Sequence, residues 1–133
     1  MNILDTLIKL CDKAEKNGDI PVSCIIVYNN KIISKAYNTK YSKNNPLGHA
    51  EINAIVKATK KLKTVNLMDC TMYVTLKPCD LCQNLIKECR IKKVYYFLEN
   101  DKRINSNTKY IKLEDNEYLK QKITNFFKNK RCK

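Results

Sequence analysis

A chain of 133 residues, 44% of them apolar, is sized for a single domain that buries most of the surface it would expose unfolded. Its formal charge of +13 points toward a polyanionic partner, although all but Arg90, Arg103 and Arg131 of the 26 basic residues are lysine, a bias that chains from AT-rich genes share. No run is long and apolar enough to span a membrane, the first residues lack an export signal, and seven cysteines is an odd count, so a cytoplasmic chain with reduced thiols is expected.

Ile3, Leu4, Leu7, Ile8, Cys11 and Ala14 recur at helical spacing until Asn17-Gly18, which predicts an amphipathic helix over residues 2 to 17. Pro21 opens the β-branched run Val22 to Tyr28, Asn29-Asn30 is a two-residue turn signal, and Lys31 to Asn38 returns as a second strand. Residues 39 to 48 are polar and carry Pro46 and Gly48, which predicts a loop. Ile52, Ile55, Val56, Thr59 and Leu62 mark the next helix. Cys70 to Leu76 reads as a third strand, Pro78 as the opening of a helix lined by Cys82, Leu85, Ile86 and Cys89, and Val94 to Leu98 as a fourth strand. Beyond it Glu99 to Lys109 is polar, Tyr110 to Leu113 is a candidate short strand, and Tyr118, Leu119, Ile123, Phe126 and Phe127 give a last helix its apolar stripe. The order α, β, β, α, β, α, β, β, α predicts a hairpin followed by crossover units, hence a partly parallel sheet between helices. Cys11, Cys24, Cys70 and Cys89 fall at apolar positions and read as small hydrophobes. From Lys120 onward the chain carries Lys122, Lys128, Lys130, Arg131 and Lys133 with no acid, a candidate polyanion-binding end.

The chemistry is concentrated in His49-Ala50-Glu51 and Pro78-Cys79-Asp80-Leu81-Cys82. His49 is the only histidine, and the two cysteines, three apart, share one side of a helix. One imidazole and two thiolates are three protein ligands for a tetrahedral zinc, and the fourth position is left for water, which is the count of a catalytic site. A closed structural site would need a fourth Cys or His, and a redox C-x-x-C would follow the first strand rather than the third. Both ligand segments begin helices, whose positive ends favour thiolates. Glu51 is either an ordinary first-turn carboxylate or, at the H-x-E spacing of zinc deaminases, the proton carrier.

These motifs resemble the cytidine-deaminase-like superfamily, and most closely its bacterial tRNA-specific adenosine deaminases. The similarity runs from Ile20-Pro21-Val22 through Tyr28-Asn29-Asn30-Lys31 and Tyr37-Asn38 to Thr71-Met72-Tyr73-Val74-Thr75-Leu76 and Cys82, and resumes at Phe126-Phe127-Lys128-Asn129-Lys130-Arg131. It implies a three-layer α-β-α fold with a mixed sheet of about five strands and helices on both faces. It also implies one zinc per chain on His49, Cys79 and Cys82, an activated water that attacks C6 of an adenine, and Glu51 shuttling protons to ring N1 and to the departing amino group. Asn38, Val22, Ala50 and Lys102 are the implied substrate contacts, tRNA the implied substrate and a homodimer the implied assembly. Asn38 also suits a strand-end turn and Val22 an ordinary core strand. The chain departs from the family at Ser23, where a small residue is usual, at Lys77, where a glutamate is usual, and over Glu99 to Lys109, which has no clear match to the family's glycine-rich segment beyond Asp101-Lys102.

Three other functions compete. A deoxycytidylate deaminase shares His49-Ala50-Glu51 and Ile91-Lys92-Lys93-Val94 but carries a longer insert before the histidine; a guanine or cytosine deaminase would act on the free base; and a non-catalytic RNA-binding module would keep zinc for stability with no need of Glu51.

Overall fold

The computed structural model describes residues 2–100 and 107–131, with side chains to Lys128. The elements follow the order expected from the sequence: α1 (Ile3–Lys16), β1 (Ser23–Tyr28), β2 (Lys31–Tyr37), α2 (Ala50–Leu62), β3 (Thr71–Leu76), α3 (Asp80–Glu88), β4 (Lys93–Leu98), β5 (Lys109–Lys112) and α4 (Glu117–Arg131). Asn2 caps α1 by accepting from the Asp5 amide, and Gly18, at φ +84°, turns the chain away from the helix end. Asn29 and Asn30 both adopt left-handed φ, 51° and 61°, as a two-residue hairpin turn matched to strand twist requires.

The sheet order is β2-β1-β3-β4-β5, with β1 antiparallel to both neighbours and β3, β4 and β5 parallel. Because β1 runs against both β2 and β3, those two strands run the same way. Each is followed by a helix, so α2 and α3 both begin at one end of the sheet. The start of β1 lies at that same end. This is the place where a strand order reverses and clefts form in α/β sheets.

Period-two alternation divides the strands between two cores. Cys24, Ile26, Met72, Val74, Val94 and Tyr96 pack with Ala54, Ile55 and Ala58 of α2 and Ile86 of α3. On the other face Ile25 and Phe97 pack with Leu7 and Leu10 of α1 and Leu119 of α4. Strands covered on both sides need no polar face, which is why they read as nearly unbroken apolar runs. The six described cysteines are free, and Cys11, Cys24, Cys70 and Cys89 are buried as expected of small hydrophobes. Cys11 does more than fill space: its Sγ lies 3.2 Å from the Ser23 hydroxyl, which donates to the Leu7 carbonyl at 2.7 Å and so ties α1 to β1.

Two expectations change. Pro78 does not open α3; Cys79, extended at φ −74° and ψ 175°, is the N-cap, Asp80 the first helical residue, and the Pro78 carbonyl accepts instead from Gln83 Nε2 at 2.7 Å. Lys122 is no part of a free cationic surface. Its ammonium reaches back to Asp12 at 2.6 Å and Glu15 at 2.9 Å of α1 and lies 5.0 Å from the Tyr118 ring centroid. Lys120 and Lys128 are exposed, while the Lys130, Arg131 and Lys133 side chains fall outside the described residues. Substituting Lys122→Met therefore loosens α4 from α1, with an expected loss of about 1–2 kcal/mol read from the midpoint of urea unfolding. No helix among the described residues is long and apolar enough to cross a membrane.

Candidate metal centre and substrate cavity

His49 is the N-cap of α2 and Cys79 the N-cap of α3, and Cys82 lies in the first turn of α3. The geometry of the sheet end brings all three together. His49 Nδ1 is 3.8 Å from Cys79 Sγ and 3.6 Å from Cys82 Sγ, and the three candidate ligand atoms lie within 4.8 Å of one another. A tetrahedral ion with Zn–S near 2.3 Å and Zn–N near 2.0–2.1 Å separates its N and S ligands by about 3.6 Å. The donor set therefore fits zinc in both chemistry and spacing.

The electrostatics of the two sulfurs agree. Hydrogen bonding from Cys82 is the main influence holding the Cys79 thiol down at about 5, against the resistance of burial. The same contact, together with burial and the charge of Glu51, pushes the Cys82 thiol far up, so the pair without a cation shares one proton. A dication between them is what allows both to be thiolates.

Glu51 sits in the first turn of α2 and is 5% exposed. Burial, seconded by the Cys79 charge, raises its carboxyl to about 7. It shares the wall of a cavity of about 160 Å³ with His49 and Cys79. Val22 and Asn38 line the same cavity, as do Ile20, Lys40, Leu76, Lys77, Asn100 and Phe127. Asn38 Oδ1 accepts from the Ala50 amide at 2.7 Å, which anchors the asparagine to the start of α2 and leaves its NH2 as the group to offer a ligand. Ala50 is wholly buried behind the wall and its amide is committed to Asn38. Lys102 lies outside the described residues.

The loop from Thr39 to Gly48 is stitched shut rather than loose. The Thr39 amide donates to the Gly48 carbonyl at 2.8 Å, and the fully buried Asp19 accepts from the Tyr41 and Ser42 amides at 2.6 and 3.2 Å. A Cβ on Gly48 would stand 2.6 Å from the Lys40 backbone nitrogen, so only glycine lets the strands of the loop close. Gly48→Ala is expected to force them apart, costing roughly 1–3 kcal/mol in thermal unfolding.

Of the residues around the cavity, the sequence does not single out Lys40 and Asn100, while Ile20, Leu76 and Phe127 stand in it only within strand, helix or family-matched segments and not as site residues. Lys77 stood out only as a departure. Lys40, Lys77 and Asn100 share one signal, a position just beyond the end of β2, β3 or β4 on the side where the motifs lie, and Phe127 comes from α4 with no such signal.

A family model described as the cytidine and deoxycytidylate deaminase zinc-binding region matches residues 2–98. The tRNA-specific adenosine deaminase of Buchnera aphidicola subsp. Schizaphis graminum is 37% identical over 131 residues, 89% of this chain and 87% of its own length. The chain belongs to this zinc-binding deaminase family. Among solved structures, one from a study of A-to-I editing by tRNA:A34 deaminases superimposes with a TM-score of 0.76 at 21% identity, over 83% of this chain and 95% of its own, a likeness of fold. The guanine deaminase of Bacillus subtilis gives 0.68 at 27% identity over 97% and 95%. Family membership and the His49, Cys79, Cys82 geometry together assign one zinc site to the chain.

Proposed function

We propose that this chain is a zinc-dependent hydrolytic deaminase that converts adenosine to inosine in tRNA, at the anticodon wobble position. The observation that carries the reading is the single cavity wall shared by His49, Glu51 and Cys79, in a chain whose relative at 37% identity over most of its length is a tRNA-specific adenosine deaminase. Zinc, held by His49, Cys79 and Cys82, supplies the Lewis acidity that makes water a nucleophile at neutral pH.

The rest is done by the chain's own residues. Glu51 accepts a proton from the attacking water, delivers it to ring N1, and serves the amino group as it leaves from C6 as ammonia. A buried carboxyl poised near neutrality suits both directions of transfer. The Asn38 NH2 donates to an acceptor on the purine ring, Val22 supplies apolar wall, and Ala50 acts through the hydrogen bond by which its amide orients Asn38. Lys102 is a further substrate contact by the family resemblance alone. We place the enzyme in the cytoplasm as a single-domain protomer of a homodimer.

A second reading, deamination of a free purine base, is favoured by the similarity to guanine deaminase. Incubating the purified protein with tRNA bearing adenosine at the wobble position, and separately with guanine and dCMP, separates the two. Inosine in the tRNA is the expected result; ammonia from guanine or dCMP alone overturns the proposal.

A further inference from the structure

Two lysines, Lys40 and Lys77, are among the residues lining the cavity that holds Glu51 and His49. Lys40 comes from the loop after β2 and Lys77 follows the last residue of β3. Neither has a hydrogen-bonded acceptor for its ammonium among the described residues. Lys40 Nζ lies over the Tyr41 ring, 5.4 Å from its centroid. Lys77 Nζ is 3.6 Å from Glu99 Oε2, an ion pair too long for a hydrogen bond, and 5.7 Å from the Tyr96 ring centroid. Glu99 is turned elsewhere by its other oxygen, which accepts from the Tyr96 hydroxyl at 2.5 Å.

The Lys77 side chain is only 14% exposed. A lysine side chain so little exposed, whose ammonium stands 3.6 Å from Glu99 and over the Tyr96 ring without a close hydrogen bond to either, keeps donors for an incoming anion. The size of the cavity says where that anion sits. At about 160 Å³ it is well below the roughly 300–1,000 Å³ of pockets that enclose a whole drug-sized ligand, so it takes a base and leaves sugar and phosphate at its mouth. A free base brings nothing to satisfy two cations there.

We propose that Lys40 and Lys77 form a phosphate clamp at the mouth of the cavity, gripping the phosphates next to the target base. This rests on the nucleic-acid reading above and names the part of the substrate that the site holds outside the base pocket. Phosphate contacts of this kind fix register and orientation rather than sequence.

The test compares the zinc-loaded protein with K40M, K77M and the double variant on an RNA hairpin carrying adenosine in its loop. A second hairpin has neutral methylphosphonates on both sides of that adenosine. Each methionine should weaken binding of the ordinary hairpin roughly tenfold at low salt and flatten the dependence of log K on log salt by about 0.7. K77R should bind like the parent. The methylphosphonate hairpin should bind parent and double variant alike, whereas a purely structural role for the lysines would weaken both hairpins equally. Adenosine 5′-monophosphate and adenosine form a further arm. If the parent ignores RNA but prefers the monophosphate, and the double variant loses that preference, the clamp stands and serves a free nucleotide, so only the nucleic-acid reading falls. If the double variant matches the parent in affinity and salt slope on the ordinary hairpin, and the monophosphate has no advantage over adenosine, the clamp is overturned even where the parent deaminates tRNA.

Discussion

Glu51→Gln is expected to keep fold and zinc while lowering kcat by roughly 10²- to 10⁴-fold, the usual range for loss of a general acid-base group. Glutamine preserves the volume of a residue that is 5% exposed, so the core around Ala54 and Ile55 need not move. The three ligand atoms come from other residues, so metal content should stay at one ion per chain. Loss of zinc along with activity would make Glu51 a structural residue, and retained turnover would remove it from the mechanism. Stability gives an independent readout in the metal-free protein. A carboxyl held at about 7 against 4.5 when free binds more protons folded than unfolded between those values, so its contribution to stability falls as pH rises through that window. Cys79, held down at about 5, works in the opposite direction from pH 5 upward. Their sum hides both, but the difference between Glu51→Gln and the parent brings out the carboxyl together with its coupling to the two cysteines. The variant should gain stability relative to the parent from pH 4.5 to 7 and hold that gain above.

What the sequence disclosed depended on whether a signal was local. The hairpin turn at Asn29-Asn30 is written in two residues that tolerate left-handed φ, and it forms as read. Helix starts at the two motifs were legible because His49 and Cys79 stand at the junction between a polar or strand segment and an apolar helical stripe. Their meeting in space followed from topology, since β2 and β3 are made parallel by the β1 between them. Pro78 misled by two places because helix propensity does not fix the cap: Cys79 stays extended while the Pro78 carbonyl finds Gln83.

Long-range pairings were not legible. Lys122 lies in a basic tail by sequence, yet its partners Asp12 and Glu15 are more than a hundred positions away. Asn38 could be read as a base contact or as a turn residue, and the structure has it holding the Ala50 amide with its oxygen, which leaves its nitrogen for a ligand. Lys40 and Lys77 carry no motif at all. They stand past the ends of β2 and β3, two strands that run the same way on either side of β1, among the residues lining a cavity that no residue pattern outlines.

Zinc removal should cost both activity and stability, and the two losses should share one cause. Without a cation the first turn of α3 holds one thiolate, Cys79, hydrogen-bonded to a Cys82 thiol that burial and the charge of Glu51 keep from ionising. With the ion bound, His49 at the start of α2 is fastened to both sulfurs at the start of α3, joining segments thirty residues apart. Free zinc at a thousand times its dissociation constant stabilises the folded state by about 4 kcal/mol, which for a chain of this size corresponds to a fall in Tm of roughly 10–15 °C on chelation. Adding zinc back should restore both Tm and deamination. Cys82→Ala removes a fully buried ligand and risks a packing defect, so Cys79→Ser, at a half-buried position, is the cleaner control. Its Tm should match that of the chelated parent and respond to added zinc far less than the parent does. A chelated parent that melts where the loaded one does would mean that the three donors hold no ion, because a bound ion that contacts only the folded arrangement must raise its stability.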